Sequence, residues 1–165
     1  MKNKIIAAVL FLWVLAIAGA IFWFSSRTAE ESGDLSQSVT DEIFESSPPV
    51  DEATGHKRHH YVRKSAHILE YGALGTALCV FLFFIADAEF IPKKSRIFLA
   101  VCSWAGATVY AVTDEVHQIF VPGRGPSVRD VSIDAVGALL GVAMVFAFCR
   151  IILKNRKICL TEHGD

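Results

Sequence analysis

Net charge is the first thing this sequence lacks: sixteen Lys and Arg against seventeen Asp and Glu leave −1 over 165 residues. A chain that binds nucleic acid normally carries a concentrated basic face, so that class is set aside. Cysteine is scarce and poorly placed for bridging. Cys79, Cys102 and Cys149 fall in apolar runs and Cys159 in the C-terminal tail, which leaves no thiol in the long polar segment where a disulfide would form. No standard zinc spacing, nucleotide loop, acyl-carrier motif or activated Ser or Cys nucleophile is present. Charge is also missing locally, because Ile5 to Phe24 is a run of twenty residues without one. A soluble helix of ~10–14 residues does not need such a run.

What is there is a membrane protein. A helix rising about 1.5 Å per residue needs about 20 apolar residues to cross about 30 Å of hydrocarbon. Four stretches meet that length, and they predict an all-α bundle of four transmembrane helices over residues 5–24, 65–86, 97–118 and 128–153, as a single domain spanning 1–165. Ala18-Gly19-Ala20 imitates a signal cleavage site, but the apolar run continues past it and exceeds the roughly 7–15 residues of a signal core. The segment therefore reads as a spanning helix. Residues 25–60 hold Pro48-Pro49 and all eight acids crowded into 30–52, a composition that predicts a flexible acidic outer loop with at most a turn at Ile43-Phe44. Placement of Lys and Arg favours both termini in the cytoplasm: nine (Lys2, Lys4, Lys93, Lys94, Arg96, Arg150, Lys154, Arg156, Lys157) against seven (Arg27, Lys57, Arg58, Arg63, Lys64, Arg124, Arg129). His56, His59 and His60, beside Lys57 and Arg58, read as a polar juxtamembrane segment rather than as metal ligands.

Ionisable groups at hydrocarbon depth carry the functional signal, because each is costly there and is normally turned inward and paired. At about 100° per residue, Lys64, His67 and Tyr71 share a helix face, with Glu70 within a third of a turn. Snorkelling explains Lys64 and Tyr71 but not the deeper His67 and Glu70. The third apolar run, Ile97–Thr113, is a few Å too short to cross, which predicts that the following Asp114, Glu115, His117 and Gln118 are partly submerged. Next, Pro122-Gly123-Arg124-Gly125-Pro126 demands a tight turn, Ser127-x-x-Asp130 fits a capping box, and Arg124 is left to neutralise acids or grip a phosphate. On the fourth helix Asp130, Asp134, Gly137 and Gly141 form one stripe. Its glycines imply close helix packing, so Asp134 is expected to point inward and Val142 to face lipid.

Lys64-x-x-His67-x-x-x-Tyr71, then Asp114-Glu115-x-His117-Gln118-x-Phe120-x-Pro122-x-Arg124-x-x-Ser127-x-x-Asp130, then Gly137-x-x-x-Gly141 resemble the VanZ family of small bacterial membrane proteins. The likeness covers most of the chain, without the acidic loop and the last ten or so residues. It implies an association with resistance to teicoplanin, a lipoglycopeptide, and no established chemistry. Asp134 departs from the resemblance, which implies Asn at that position.

Two classes of function follow. As a binding or barrier protein, the chain engages a membrane lipid, a lipid-linked cell-wall precursor or a lipoglycopeptide through Lys64, Tyr71, Gln118, Arg124, Ser127, Asp130 and Asp134. As a membrane-embedded hydrolase or transferase, it uses His67, Glu70, Asp114, Glu115 or His117 in general acid–base roles, with Arg124 on a lipid headgroup. Ion-pair networks explain clustered charges without turnover, which favours the first. Lys64, His67, Glu70, Tyr71, Asp114, Glu115, His117, Arg124 and Asp130 are expected to form one pocket near the outer membrane surface, with Arg124 as the counter-ion of Asp114. The cofactor is left open, a divalent metal held by those His and acid groups being the alternative to none.

Overall fold

The computed structural model describes residues 2–46, 51–88 and 95–161. Pro48, Pro49, Lys93 and Lys94, used above, lie outside them, as does the side chain of Cys159. Five helices follow in order: α1 Lys2–Ser25, α2 Ala29–Phe44, α3 Glu52–Ala88, α4 Ser95–Gln118 and α5 Val128–Thr161. Four of them, all but α2, are long and apolar enough to cross a membrane. Large side chains such as Trp13, Leu69, Val109 and Met144 stand exposed around the bundle, as a lipid-facing surface requires. Cys79, Cys102 and Cys149 are free thiols.

Helix α3 is the central element, packed on α1, α2, α4 and α5. Its contact with α5 is backbone against backbone. A Cβ on Gly137 would stand 2.6 Å from the Ile68 carbonyl oxygen, one on Gly75 2.5 Å from that of Ala138, and one on Gly141 would overlap the Gly72 carbonyl. Without a hydrophobic drive between helices in lipid, such small-residue faces supply the close packing. The glycine stripe thus meets a helix as its spacing implies, and Gly72 and Gly75 complete it from the other side. Tyr71, Leu74 and Ala77 of α3 then pack with Val14 and Ile21 of α1 and Ala107 and Ala111 of α4. Two polar ties lock the bundle: the Tyr110 hydroxyl donates to the Ala18 carbonyl at 2.7 Å, and Trp104 Nε1 donates to the Ala135 carbonyl at 3.0 Å. Val142 does not face lipid. It is buried against Cys79 and Phe83, because it lies one turn beyond the buried Ala138 on the same face of α5.

The larger correction is at residues 25–60, where, among the described residues, α2 and the first nine residues of α3 replace the expected flexible loop. The physical reason is a reciprocal cap. Glu31 N–H donates to Thr28 Oγ1 at 3.2 Å, and Thr28 N–H donates to Glu31 Oε2 at 3.0 Å. Glu30 and Glu31 also suit the positive end of the helix dipole. Tertiary contacts hold α2 down: Thr40 is buried, the Arg58 guanidinium lies 4.4 Å from the Phe44 ring centre, and His59 Nε2 is 3.2 Å from the Gly33 carbonyl. Leu35, Val39 and Ile43 form an exposed apolar row beside that packed face, with the acids on the remaining side. Thr28→Ala should therefore destabilise α2 by about 1 kcal/mol, seen as faster amide exchange across Ala29–Phe44. Unchanged exchange there would contradict the assigned cap.

Candidate functional site

At one end of the bundle a small cavity of about 90 Å³ opens between α1, α3 and α4, with α2 across it. His67 and Glu70 enter from α3 and Asp114 from α4, while Ser32, Leu35 and Ser36 reach in from α2. Three guanidiniums complete the wall: Arg27 after α1, Arg63 on α3 and Arg124 on the α4–α5 loop. Arg27 is steadied by aromatic faces, 4.3 Å above Trp23 and 6.0 Å from Phe24.

The loop that carries Arg124 is built by local sequence. Arg124 N–H donates to the Val121 carbonyl at 3.1 Å across Pro122-Gly123, and Gly123 has φ of 74°. Proline second and a left-handed glycine third is the pattern of a type II turn. The turn also touches α2: Ala29 N–H donates to the Pro122 carbonyl at 3.3 Å, and a Cβ on Gly123 would lie 3.0 Å from that of Ala29. Position of the covering helix and of Arg124 are thereby linked.

Neither Arg63 nor Arg124 forms an ion pair among the described residues, so Arg124 is not the counter-ion of Asp114. Burial, and then the like charge of Arg63, hold the Arg124 guanidinium below its ordinary range against the opposing pull of Asp114, Glu115 and Glu70. Arg124 Nε is buried without a hydrogen-bond partner.

Asp114 is buried, and Gln118 Nε2 links it at 3.4 Å to Ser25 Oγ at 3.1 Å. Behind the cavity, His67 Nδ1 stands 3.2 Å from Asp134 Oδ1, within ion-pair range but outside hydrogen-bond alignment. Asp134 is completely buried, so it points inward as the stripe implies. Both its oxygens, Asp114 Oδ1, His67 Nδ1 and the Tyr71 hydroxyl have no hydrogen-bond partner.

The expected single pocket is thus smaller than its residue set. His67, Glu70, Asp114 and Arg124 converge in the cavity wall, with Asp134 against His67. The others do not line it. Lys64 pairs with Asp130, joining α3 to the start of α5. Glu115 accepts a hydrogen bond from Ser127 N–H at 2.7 Å, and Ser127 Oγ accepts one from Asp130 N–H at 3.2 Å, so these residues secure the α5 N-terminus. Only half of the capping box forms, because the Ser127 N–H donates to Glu115 and the Asp130 carboxylate pairs with Lys64. His117 turns to α1, with its ring centre 4.5 Å from that of Phe22 and Nε2 3.2 Å from Ser26 Oγ. Tyr71 is wholly buried in the apolar core, its ring centre 6.4 Å from that of Tyr110. Arg27, Arg63, Ser32 and Ser36 are site residues that sequence reasoning missed. Arg63 sits one turn before His67, and that spacing was the available signal. Among the described residues no group of three or more His, Cys, Asp and Glu gathers as a metal site.

A family model described as VanZ/LLP1 matches residues 10–152. No curated protein and no solved structure matches the chain.

Proposed function

The chain belongs to the VanZ/LLP1 family of its matched residues, and from that premise we propose that it binds the phosphate-bearing headgroup of a lipid-linked envelope component. Bound in this way, the component is shielded from a lipoglycopeptide of the teicoplanin type. The observation that carries this reading is a cavity with three guanidiniums against two carboxylates, none of those guanidiniums in an ion pair among the described residues. Guanidinium forks match phosphate oxygens with charge-assisted bonds, and buried unpaired donors are costly unless a guest satisfies them.

Volume favours the lipid over the antibiotic as ligand. A space of about 90 Å³ is well under the ~300 Å³ of pockets for drug-sized molecules. It suits one phosphate-sized group and excludes a whole lipoglycopeptide, so protection works on the lipid rather than by capture of the antibiotic. Lys and Arg placement supports an orientation with both termini in the cytoplasm and the cavity in the outer leaflet.

A second reading rests on His67, which faces the same cavity with Asp134 behind it, an arrangement that can move a proton at a bound phosphate ester. The two readings separate in one experiment. Cells making the protein should bind less labelled teicoplanin, while mass spectrometry of their envelope lipids shows no new species. A modified headgroup that vanishes in His67→Gln would establish turnover instead, and unchanged antibiotic binding would remove the shielding role.

A further inference from the structure

Below the polar cavity, a second hollow of about 690 Å³ runs along the membrane-spanning part of the bundle. Trp13 and Ile17 of α1 form one wall, Leu140 and Met144 of α5 the other, and Ala73 and Thr76 of α3 lie in the floor. The hollow exists because the backbone-close α3–α5 contact leaves only Gly72, Ala73, Thr76 and Ala77 along the middle of that floor, while α1 stands to one side. From Ile68 to Val80 on α3 it covers about 18 Å of helix length. It is almost entirely apolar, and at that depth its surroundings are hydrocarbon.

The two spaces share two helices, α1 and α3. Ile17 borders the groove and Ile21 the polar cavity, one turn apart on α1. On α3 they overlap at one level, with Ile68 and Leu69 of the groove lying around the helix from His67 and Glu70 of the cavity. A phosphate ester carries its chain directly on the phosphate, so a lipid gripped by Arg63 and Arg124 has its first chain carbons at this level.

From this adjacency, and resting on the headgroup reading above, we infer that the groove holds the hydrocarbon chain of the same phosphate lipid. The site is then bipartite: guanidiniums read the anion, and the groove reads a long chain attached to it. Discrimination in the groove comes from packing against fixed helix surfaces, since bulk lipid offers the chain an equally apolar environment.

The test uses the full chain in nanodiscs of phosphatidylcholine, with polyprenyl phosphate and phosphatidic acid as long-chain probes and butyl phosphate as the short one. Ala73 is exposed in the groove floor, so Ala73→Phe fills the space without touching the α3–α5 contact. Val109→Phe, at an exposed position on α4 outside the groove, is the control. The tighter of the two long-chain probes identifies the lipid source. Its affinity should fall about fivefold or more in Ala73→Phe, with butyl phosphate binding unchanged and Val109→Phe like the unmodified chain. If Arg124→Gln weakens every probe while Ala73→Phe weakens none, the groove inference is overturned and the headgroup reading stands. If Arg124→Gln weakens no probe, the headgroup reading fails and the bipartite site with it.

Discussion

Gly141→Leu is expected to prevent α3 and α5 from seating, with a stability loss above ~3 kcal/mol, the upper range for overpacked cores. Nothing at this contact can retreat. The added Cβ would overlap the Gly72 carbonyl and stand 2.7 Å from Thr76 Oγ1, and a backbone carbonyl of a central helix does not move aside. The cost extends to the site, because the same interface sets Asp134 against His67 and Lys64 against Asp130. Val136, half-exposed on the same helix, supplies the comparison: Val136→Leu should leave detergent stability within about 0.5 kcal/mol. Equal tolerance at the two positions would contradict a backbone-close α3–α5 contact.

Arg124→Gln should separate binding from folding. Arg124 forms no ion pair that its loss would break, and its loop is held by the Val121 turn bond and by Ala29 instead. Stability should therefore hold within about 1 kcal/mol. Affinity for a phosphate-headed lipid should drop about 10- to 100-fold, the equivalent of ~1.5–3 kcal/mol for a hydrogen bond to a charged group. Arg124→Lys should recover only part of that loss, since an ammonium keeps the charge and forfeits the fork. A variant that binds as tightly as the unmodified chain would move the anion site away from this loop.

The spanning helices were legible because bilayer thickness converts apolar length directly into topology. Inward orientation was legible too: the Gly137/Gly141 stripe turned Asp134 inward, and Asp114 and Glu115, which follow the short run Ile97–Thr113, are buried within the bundle. Helix α2 was misread because Ser and acid content argues for a solvated chain. Its helical signals were positional instead, in the Thr28-x-x-Glu31 cap and in Leu35, Val39 and Ile43 at intervals of four. Losing α2 hid Arg27 and Arg63, which then counted only as outer charges rather than as cavity walls. Shared helix faces also overstate convergence. Lys64 and His67 lie on one face of α3, but Asp130 draws the first aside while the second meets Asp134 one turn deeper. Which neighbour each residue finds depends on how α3 and α5 cross, and that crossing is set by Gly72 and Gly75 as much as by the glycines that spacing revealed.

Native mass spectrometry of the full chain released from its own membrane tests the central claim most directly. The account predicts a retained lipid whose mass and fragmentation show a phosphate headgroup, present on the unmodified chain and lost on folded Arg124→Gln. A folded, unmodified chain that retains only neutral or zwitterionic lipids, to the same extent as Arg124→Gln, would contradict it.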